Sequence, residues 1–514
     1  MSRRTRFLKS GITLTAVGLA MRTVAMLFGA YISRAVGAEG VGLYTVVMTV
    51  YSFAVTFATS GISLTVTRLV AGAVGEGREG EVGKILRGSV TYSLIFGITA
   101  TLLLFLGADF IGANILSDSR TVLCLKILSL SLVPAGLCSV FSGYFVGVKR
   151  VGFNAAVQVL SQCVKIVITL TLVARLSQDG IVMSVIALSL GITLTELISL
   201  LLIFLEFLYD RYKCGARVKK SAQSQLANVA KSALPLAISG YFRSILTTVE
   251  HILIPRRLMD RGENNTEAYS HYGSLHGMAL PLVLYPMAPL TSFSGLLVPE
   301  FAEDMASGNK RRMCRIASEA INTTLVYAVL SAVFIYTFSE ELGYAVYDSY
   351  DAGYYIAILA PIVPIMFLDH VTDGMLKGIG EQVYSMWVNI TDSLLSVILV
   401  YFLIPGMGIL GYAVVIIIME GYNFLLSVIR LRRRVRFTVD PVRSVLFPLI
   451  SALLAAHLSD RIFVFGGSTS PGLWLVLKIV FATAIFVALL SFLRIGFNMY
   501  AVKYQKNKEK SLNN

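Results

Sequence analysis

A charged residue in the middle of an apolar run is the first feature of this sequence that could do chemistry. Arg22 lies between two basic ends, Lys9 and Arg34, which are 25 positions apart with apolar residues on either side. About 24 residues suffice to cross a bilayer, so this guanidinium falls near mid-membrane. There it costs at least a few kcal/mol unless it faces a partner or water, which makes it a candidate for binding. The layout recurs far downstream. Lys231 opens a second run, Arg243 lies in its middle and Arg256 ends it, again 25 positions from first to last.

Other polar residues inside apolar runs fall at helical spacing, which puts them on shared faces. Gln158, Gln162 and Lys165 form one such set, and Asn389, Asp392 and Ser396 another. Thr247 and Glu250 follow Arg243 on its face; Asp369 and Asp373 are one turn apart with His370 beside them. Arg22, Arg243, Lys165, Gln158, Gln162 and Asn389 are the candidate substrate-binding groups. Asp369, Asp373, Asp392 and Glu250 are the candidate ion-coupling groups, because an intramembrane carboxylate can exchange a proton or cation. Plainer roles compete. Arg243 and Glu250 could neutralise each other, Asp373 could lie near the headgroups, and Glu196 and Glu420 are mid-run acids without a polar stripe. Thr45, Thr49, Ser52, Thr56, Thr59 and Ser63 line one face of a helix, either as the wall of a wet cavity or as helix–helix contacts.

The elements that position these residues are membrane spans. The chain is 56% hydrophobic and 14% charged, with a mean hydropathy of +0.73, the composition of an all-α integral membrane protein with small loops. About fourteen apolar segments are long enough, or nearly so, to cross. With the N-terminus placed in the cytoplasm, roughly three quarters of the 44 Lys and Arg fall on the inner side, the positive-inside pattern. The expected location is therefore the cell membrane, multi-pass, with both termini cytoplasmic and anionic lipid as a partner. The net charge of +14 is explained by topology, and no nucleic acid is expected, since no basic stretch carries interleaved aromatics. The N-terminal Arg3-Arg4 nearly matches a twin-arginine signal, but Arg22 interrupts the apolar core, so a start-transfer helix is expected.

Enzymatic chemistry finds no support. Cys124, Cys138, Cys163, Cys214 and Cys314 show no metal spacing, and the five histidines form no ligand cluster. Gly75-Glu76-Gly77-Arg78-Glu79-Gly80 is a formal GxGxxG, but it follows a membrane span rather than a strand and reads as an inner loop. No cofactor is expected beyond coupling to a proton, sodium or the membrane potential.

The chain also repeats. Gly143-xxx-Gly147 ends the fourth span and Gly374-xxx-Gly378 the tenth, 231 positions later. Three landmarks recur at roughly 230 positions, which describes six helices repeated in the same orientation. The expected organisation is an N-terminal lobe of spans 1–6 over residues 1–209 and a basic linker at 210–231. A second lobe of spans 7–12 follows at 232–431, then two further helices and a tail at 432–514.

The block Ser33-Arg34-Ala35-Val36-Gly37-Ala38-Glu39-Gly40-Val41-Gly42-Leu43-Tyr44, with Gly61-Ile62 and Thr67-Arg68-Leu69, resembles the stage V sporulation protein B branch of the polysaccharide-biosynthesis flippases. So do Ile254-Pro255-Arg256-Arg257-Leu258, Met278-Ala279-Leu280-Pro281-Leu282 and Val298-Pro299-Glu300. The resemblance spans nearly the whole chain and implies the multidrug/oligosaccharidyl-lipid/polysaccharide exporter superfamily, near the lipid II flippases. It implies two six-helix lobes alternating between inward-open and outward-open states, with Arg22 matching a cationic cavity residue of the first helix. Thr49 departs from it where many relatives carry proline. The implied substrate is an undecaprenyl-diphosphate-linked saccharide, a peptidoglycan precursor of the lipid II type, with a spore-cortex role and cell-wall synthesis enzymes as partners. Two other readings stay open: an ion-coupled multidrug antiporter on the same fold, which would favour a net acidic cavity, and a non-transporting scaffold for envelope assembly.

Overall fold

The computed structural model describes residues 3–148, 150–213, 225–463 and 471–512, and every regular element among them is helical. Residues 214–224 of the expected linker, Cys214 among them, lie outside the described residues. In chain order the first helices are α1 (Arg3–Thr59), α2 (Ile62–Gly75), α3 (Val82–Phe110), α4 (Thr121–Ser129), α5 (Leu132–Gly147), α6 (Val151–Leu176) and α7 (Ile181–Lys213). Then come α8 (Leu226–Asp260), α9 (Asn265–Tyr272), α10 (Leu280–Leu284), α11 (Ala288–Ala306), α12 (Lys310–Thr337), α13 (Ser339–Tyr347) and α14 (Tyr350–Leu359). The last are α15 (Val363–Gly378), α16 (Gln382–Met407), α17 (Ile409–Arg434), α18 (Phe447–Ile462) and α19 (Pro471–Leu512).

Eleven helices among the described residues are long and apolar enough to cross a membrane, or twelve if the bent pair α4 and α5 is one span. The expected count of about fourteen is not reached on length and composition, for two physical reasons. Met21–Gly75 passes as one stretch of 55 residues. At 1.5 Å per residue that is about 80 Å, twice the thickness of a bilayer, so it holds two crossings. The fold separates them at Gly37, whose φ of 74° and ψ of 173° a residue with a Cβ seldom adopts. Helix α8 fails on composition, because Lys231, Arg243, Glu250, Arg256 and Arg257 all fall within its 35 residues. No other non-helical position interrupts α1, so the chain stays helical through Thr49, where proline was expected.

By density of packing the chain divides into two compact units: Met1–Tyr31 with Ser274–Asp392 and Ala413–Asn514, and Ile32–Gly273 with Ser393–Tyr412. They follow contacts, whereas the lobes expected at 1–209 and 232–431 follow sequence repetition. In the second unit α5 packs on α2 through its glycines. A Cβ on Gly143 would stand 2.5 Å from the Ser63 carbonyl oxygen, and one on Gly147 3.0 Å from Val70 Cβ. In the first unit α15 packs on α11 in the same manner. A Cβ on Gly374 would lie 2.1 Å from Ser294 Oγ, and one on Gly378 2.6 Å from Phe301 Cβ. The expected small-residue contacts are therefore present, and Ser63 recurs as Ser294 at the same spacing that carries Gly143 to Gly374.

The hydroxyl stripe of α1 turns out to be shorter than its spacing predicts. Ser60 and Gly61, with φ of 44° and 67°, end the helix before Ser63. Ser60 is buried and its Oγ meets Tyr92 Oη at 2.8 Å and Tyr241 Oη at 2.5 Å, which holds a left-handed serine that would otherwise be strained. Above the break the hydroxyls of Thr45, Thr49 and Thr56 donate to the carbonyls of Val41, Thr45 and Ser52 in their own helix. Such back-bonding satisfies a hydroxyl without water.

The C-terminal helices are tied down by a buried cation. Lys478 on α19 is 4% exposed and bonds Glu341 on α13 at 2.5 Å and Asp460 on α18 at 2.7 Å. Between α15 and α16, Glu381 is clasped by Arg430 and Arg434 of α17, and the Arg430 hydrogen bond holds its carboxyl below the usual carboxylate range.

Candidate functional site

Arg22 belongs to the first unit and its side chain is exposed. Its Nη1 donates to Thr291 Oγ1 of α11 at 3.4 Å, and the adjacent Thr23 Oγ1 meets Tyr285 Oη at 2.8 Å. Two polar contacts thus seat this face of α1 against the start of α11, while most of the guanidinium's donors are left for another acceptor. Its charge is felt at His370 on α15, together with those of Asp373 and Lys377.

The three aspartates do not act as one group. Asp373 forms an ion pair with Lys377 one turn away, at 2.6 Å. Asp369 takes a hydrogen bond from Ser427 on α17 and lies within electrostatic reach of Asp392 on α16. Glu420 on α17, left undecided by the sequence, faces both Asp369 and Asp392. Helices α15, α16 and α17 therefore bring three acids together inside the first unit. Among the described residues no three His, Cys, Asp or Glu are placed to hold a metal ion. Asn389 on α16 is half-buried in the same unit, one turn before Asp392.

The second unit holds the remaining candidates. Arg243 is exposed on α8 and forms no ion pair with a described residue, so the suggested Arg243–Glu250 neutralisation is absent. Beside it Ser244 Oγ meets Thr56 Oγ1 at 3.5 Å. Glu250 instead accepts a 2.6 Å bond from Ser396 Oγ on α16. Tyr272, fully buried, lies within electrostatic reach of Glu250 and hydrogen-bonds both His251 Nδ1 at 3.0 Å and Thr49. Tyr412 on α17 is close to the same carboxylate. This polar nest joins α1, α8, α9, α16 and α17.

Gln158, Gln162 and Lys165 lie on α6, exposed at Gln158 and half-buried at the other two. Lys165 faces Glu196 on α7 across the α6–α7 contact, so a charge pair accounts for two residues that were read separately. The sequence analysis missed Tyr272, Tyr412, Thr291 and Tyr285, since no spacing links them to the residues they meet. The Asp373–Lys377 pair was missed as well, although its i,i+4 spacing could have shown it.

Comparison with known proteins agrees with this architecture. The family model described as "Polysaccharide biosynthesis protein" matches residues 7–305, and the MatE model matches residues 276–402. The stage V sporulation protein B of Bacillus subtilis (strain 168) is 26% identical over 420 residues, covering 80% of each chain. A structure of lipid II flippase MurJ in an inward closed conformation superposes with a TM-score of 0.67 at 14% identity, over 93% of this chain and 99% of that one. An inward-facing multidrug resistance MATE family transporter of the MOP superfamily does so with a TM-score of 0.67 at 15% identity, over 81% and 94%. Fold, spans and the match over residues 7–305 lead to one assignment: this multi-pass membrane protein belongs to the polysaccharide biosynthesis protein family and has the fold of the MOP-superfamily flippases and transporters.

Proposed function

We propose that the chain is an alternating-access flippase that moves a polyprenyl-diphosphate-linked saccharide, a peptidoglycan precursor of the lipid II type, from the inner to the outer leaflet. The observation that carries this reading is Arg22: an exposed guanidinium inside a membrane-spanning helix, held among the described residues by one 3.4 Å bond. A diphosphate would take up its remaining donors as charge-assisted bonds. Arg243, Lys165, Gln158, Gln162 and Asn389 are the further substrate-binding residues in this reading. The polyprenyl tail stays in lipid. The lobes at 1–209 and 232–431 are the moving parts, the termini are cytoplasmic, and a spore-cortex role is part of the same reading, with the sporulation protein among the relatives as its support.

Transport is coupled in this reading through Asp369, Asp373, Asp392 and Glu250, by a proton, sodium or the membrane potential. Asp369→Asn, Asp373→Asn and Asp392→Asn are each expected to change how the rate depends on pH or potential, measured in vesicles with imposed gradients. The Lys377 pair makes Asp373 the weakest of the three. Unchanged dependence in all three would make these acids structural.

The test of the function itself is a flipping assay in proteoliposomes with defined lipid-linked sugars. The protein is expected to deliver a polyprenyl-diphosphate sugar to the opposite leaflet well above the rate of protein-free vesicles. Equal rates would end the reading. The acids of α15, α16 and α17 favour a second possibility, export of organic cations, and efflux of a cationic dye with no flipping of lipid-linked sugar would establish it.

A further inference from the structure

Where α2 ends and α3 and α8 begin, the second unit has an open cavity of about 430 Å³. Its polar lining comes from three places: Arg68 on α2, Arg78 in the loop that follows, and Asn228, Lys231 and Ser232 on the first turns of α8. Gly72, one turn after Arg68, also borders it and has open space where a Cβ would stand.

The three cations differ in how they are balanced. Arg78 is clasped by Glu76 and, at 2.7 Å, by Glu81, which also border the cavity. Arg78 and Glu76 of that clasp belong to the formal GxGxxG stretch, which borders a cavity rather than forming a nucleotide loop. Arg68 and Lys231 are exposed, and neither forms an ion pair or hydrogen bond with a described residue. Two positive charges on neighbouring helices therefore face one space with no ion pair of their own among the described residues, while the two acids on its rim, Glu76 and Glu81, are held by Arg78. Helix α8 also starts there with no side-chain cap, so the positive end of a 35-residue helix dipole points the same way. Asn228 and Ser232 add side-chain donors.

We propose that this cavity is a binding site for a phosphate-bearing anion, distinct from the site of the transported lipid. Such a group would take charge-assisted bonds from Arg68 and Lys231, relieve their repulsion and join α2 to the start of α8. Glu76 and Glu81 stay engaged with Arg78, so the anion occupies the side of the cavity formed by Arg68 and Lys231. The phosphate can come from the headgroup of an anionic phospholipid or from a soluble compound.

The test uses the full chain purified in neutral detergent, with binding read as a saturable rise in melting temperature. One arm adds phosphatidylglycerol against phosphatidylcholine; the other adds inorganic phosphate or glycerol 3-phosphate against chloride of equal ionic strength. A response to phosphatidylglycerol alone assigns the lipid headgroup, and a response to the soluble phosphates assigns a free phosphate group. In either case, joint Arg68→Gln and Lys231→Gln lowers the apparent affinity about tenfold or more, whereas Arg68→Lys with Lys231→Arg keeps most of it. Gly72→Leu keeps every charge and weakens binding by filling the space. Unchanged circular dichroism in these variants separates lost binding from lost fold. No saturable response to any of these anions, or a response that the double Gln variant retains, overturns the proposal.

Discussion

Arg22→Ala is expected to abolish transport of a lipid-linked saccharide while the protein remains folded and inserted, and Arg243→Ala to do the same. Each arginine lies inside a helix yet is exposed, so its charge is not there to hold the helix in place. Among the described residues Arg22 has one hydrogen bond, of 3.4 Å, a weak contact whose loss costs little stability. Removal of a charged partner from a desolvated phosphate contact costs about 2–5 kcal/mol, a loss of thirtyfold to several thousandfold. Lysine keeps the charge and loses the planar fork, so Arg22→Lys and Arg243→Lys should retain part of the activity. Growth of a flippase-deficient strain, scored beside the amount of protein in the membrane, checks this. Normal growth with both alanine variants would reassign the arginines to a structural role.

Gly42→Ala should have the largest effect on stability. A Cβ on Gly42 would stand 1.9 Å from the Tyr269 carbonyl oxygen and 2.7 Å from its carbon. From the other side, one on Gly273 would stand 2.2 Å from the Ala38 carbonyl oxygen and 2.6 Å from Gly42 N. Backbone faces backbone here, so no rotamer change can relieve the clash and the second half of α1 would have to move off α9. The expected cost is about 4 kcal/mol or more, the range of severe overpacking. Gly29→Ala is the control, because nothing stands within 4 Å of its Cβ position. Yield of monodisperse protein and its melting temperature should collapse for Gly42→Ala and hold for Gly29→Ala. Equal melting of the two variants would mean the crossing is looser than these distances require.

Much of this protein is legible in its sequence because hydropathy, charge placement and helical period are local properties. The all-helical membrane class and both glycine pairs needed no knowledge of the fold. The glycines were readable for a specific reason: small residues four apart leave a groove whatever helix fills it, and α2 and α11 are what fill the two grooves. Composition also divided the first two spans where the fold breaks, at Gly37, but the left-handed turn at Ser60 and Gly61 cut a hydroxyl stripe that spacing alone extended to Ser63.

Partnership was decided by tertiary structure. Arg243 and Glu250 share a helix face and suggest an ion pair, yet Glu250 took Ser396, 146 positions away, and the neighbourhood of two buried tyrosines. Lys165 and Glu196 belong to different helices, as do Asp369, Asp392 and Glu420, and only the packing of α6 on α7 and of α15 with α16 and α17 brings them together. The physical reason is that a side chain's spacing along its own helix sets the direction in which it points. What it meets there depends on which other helix arrives at that face, and at what depth.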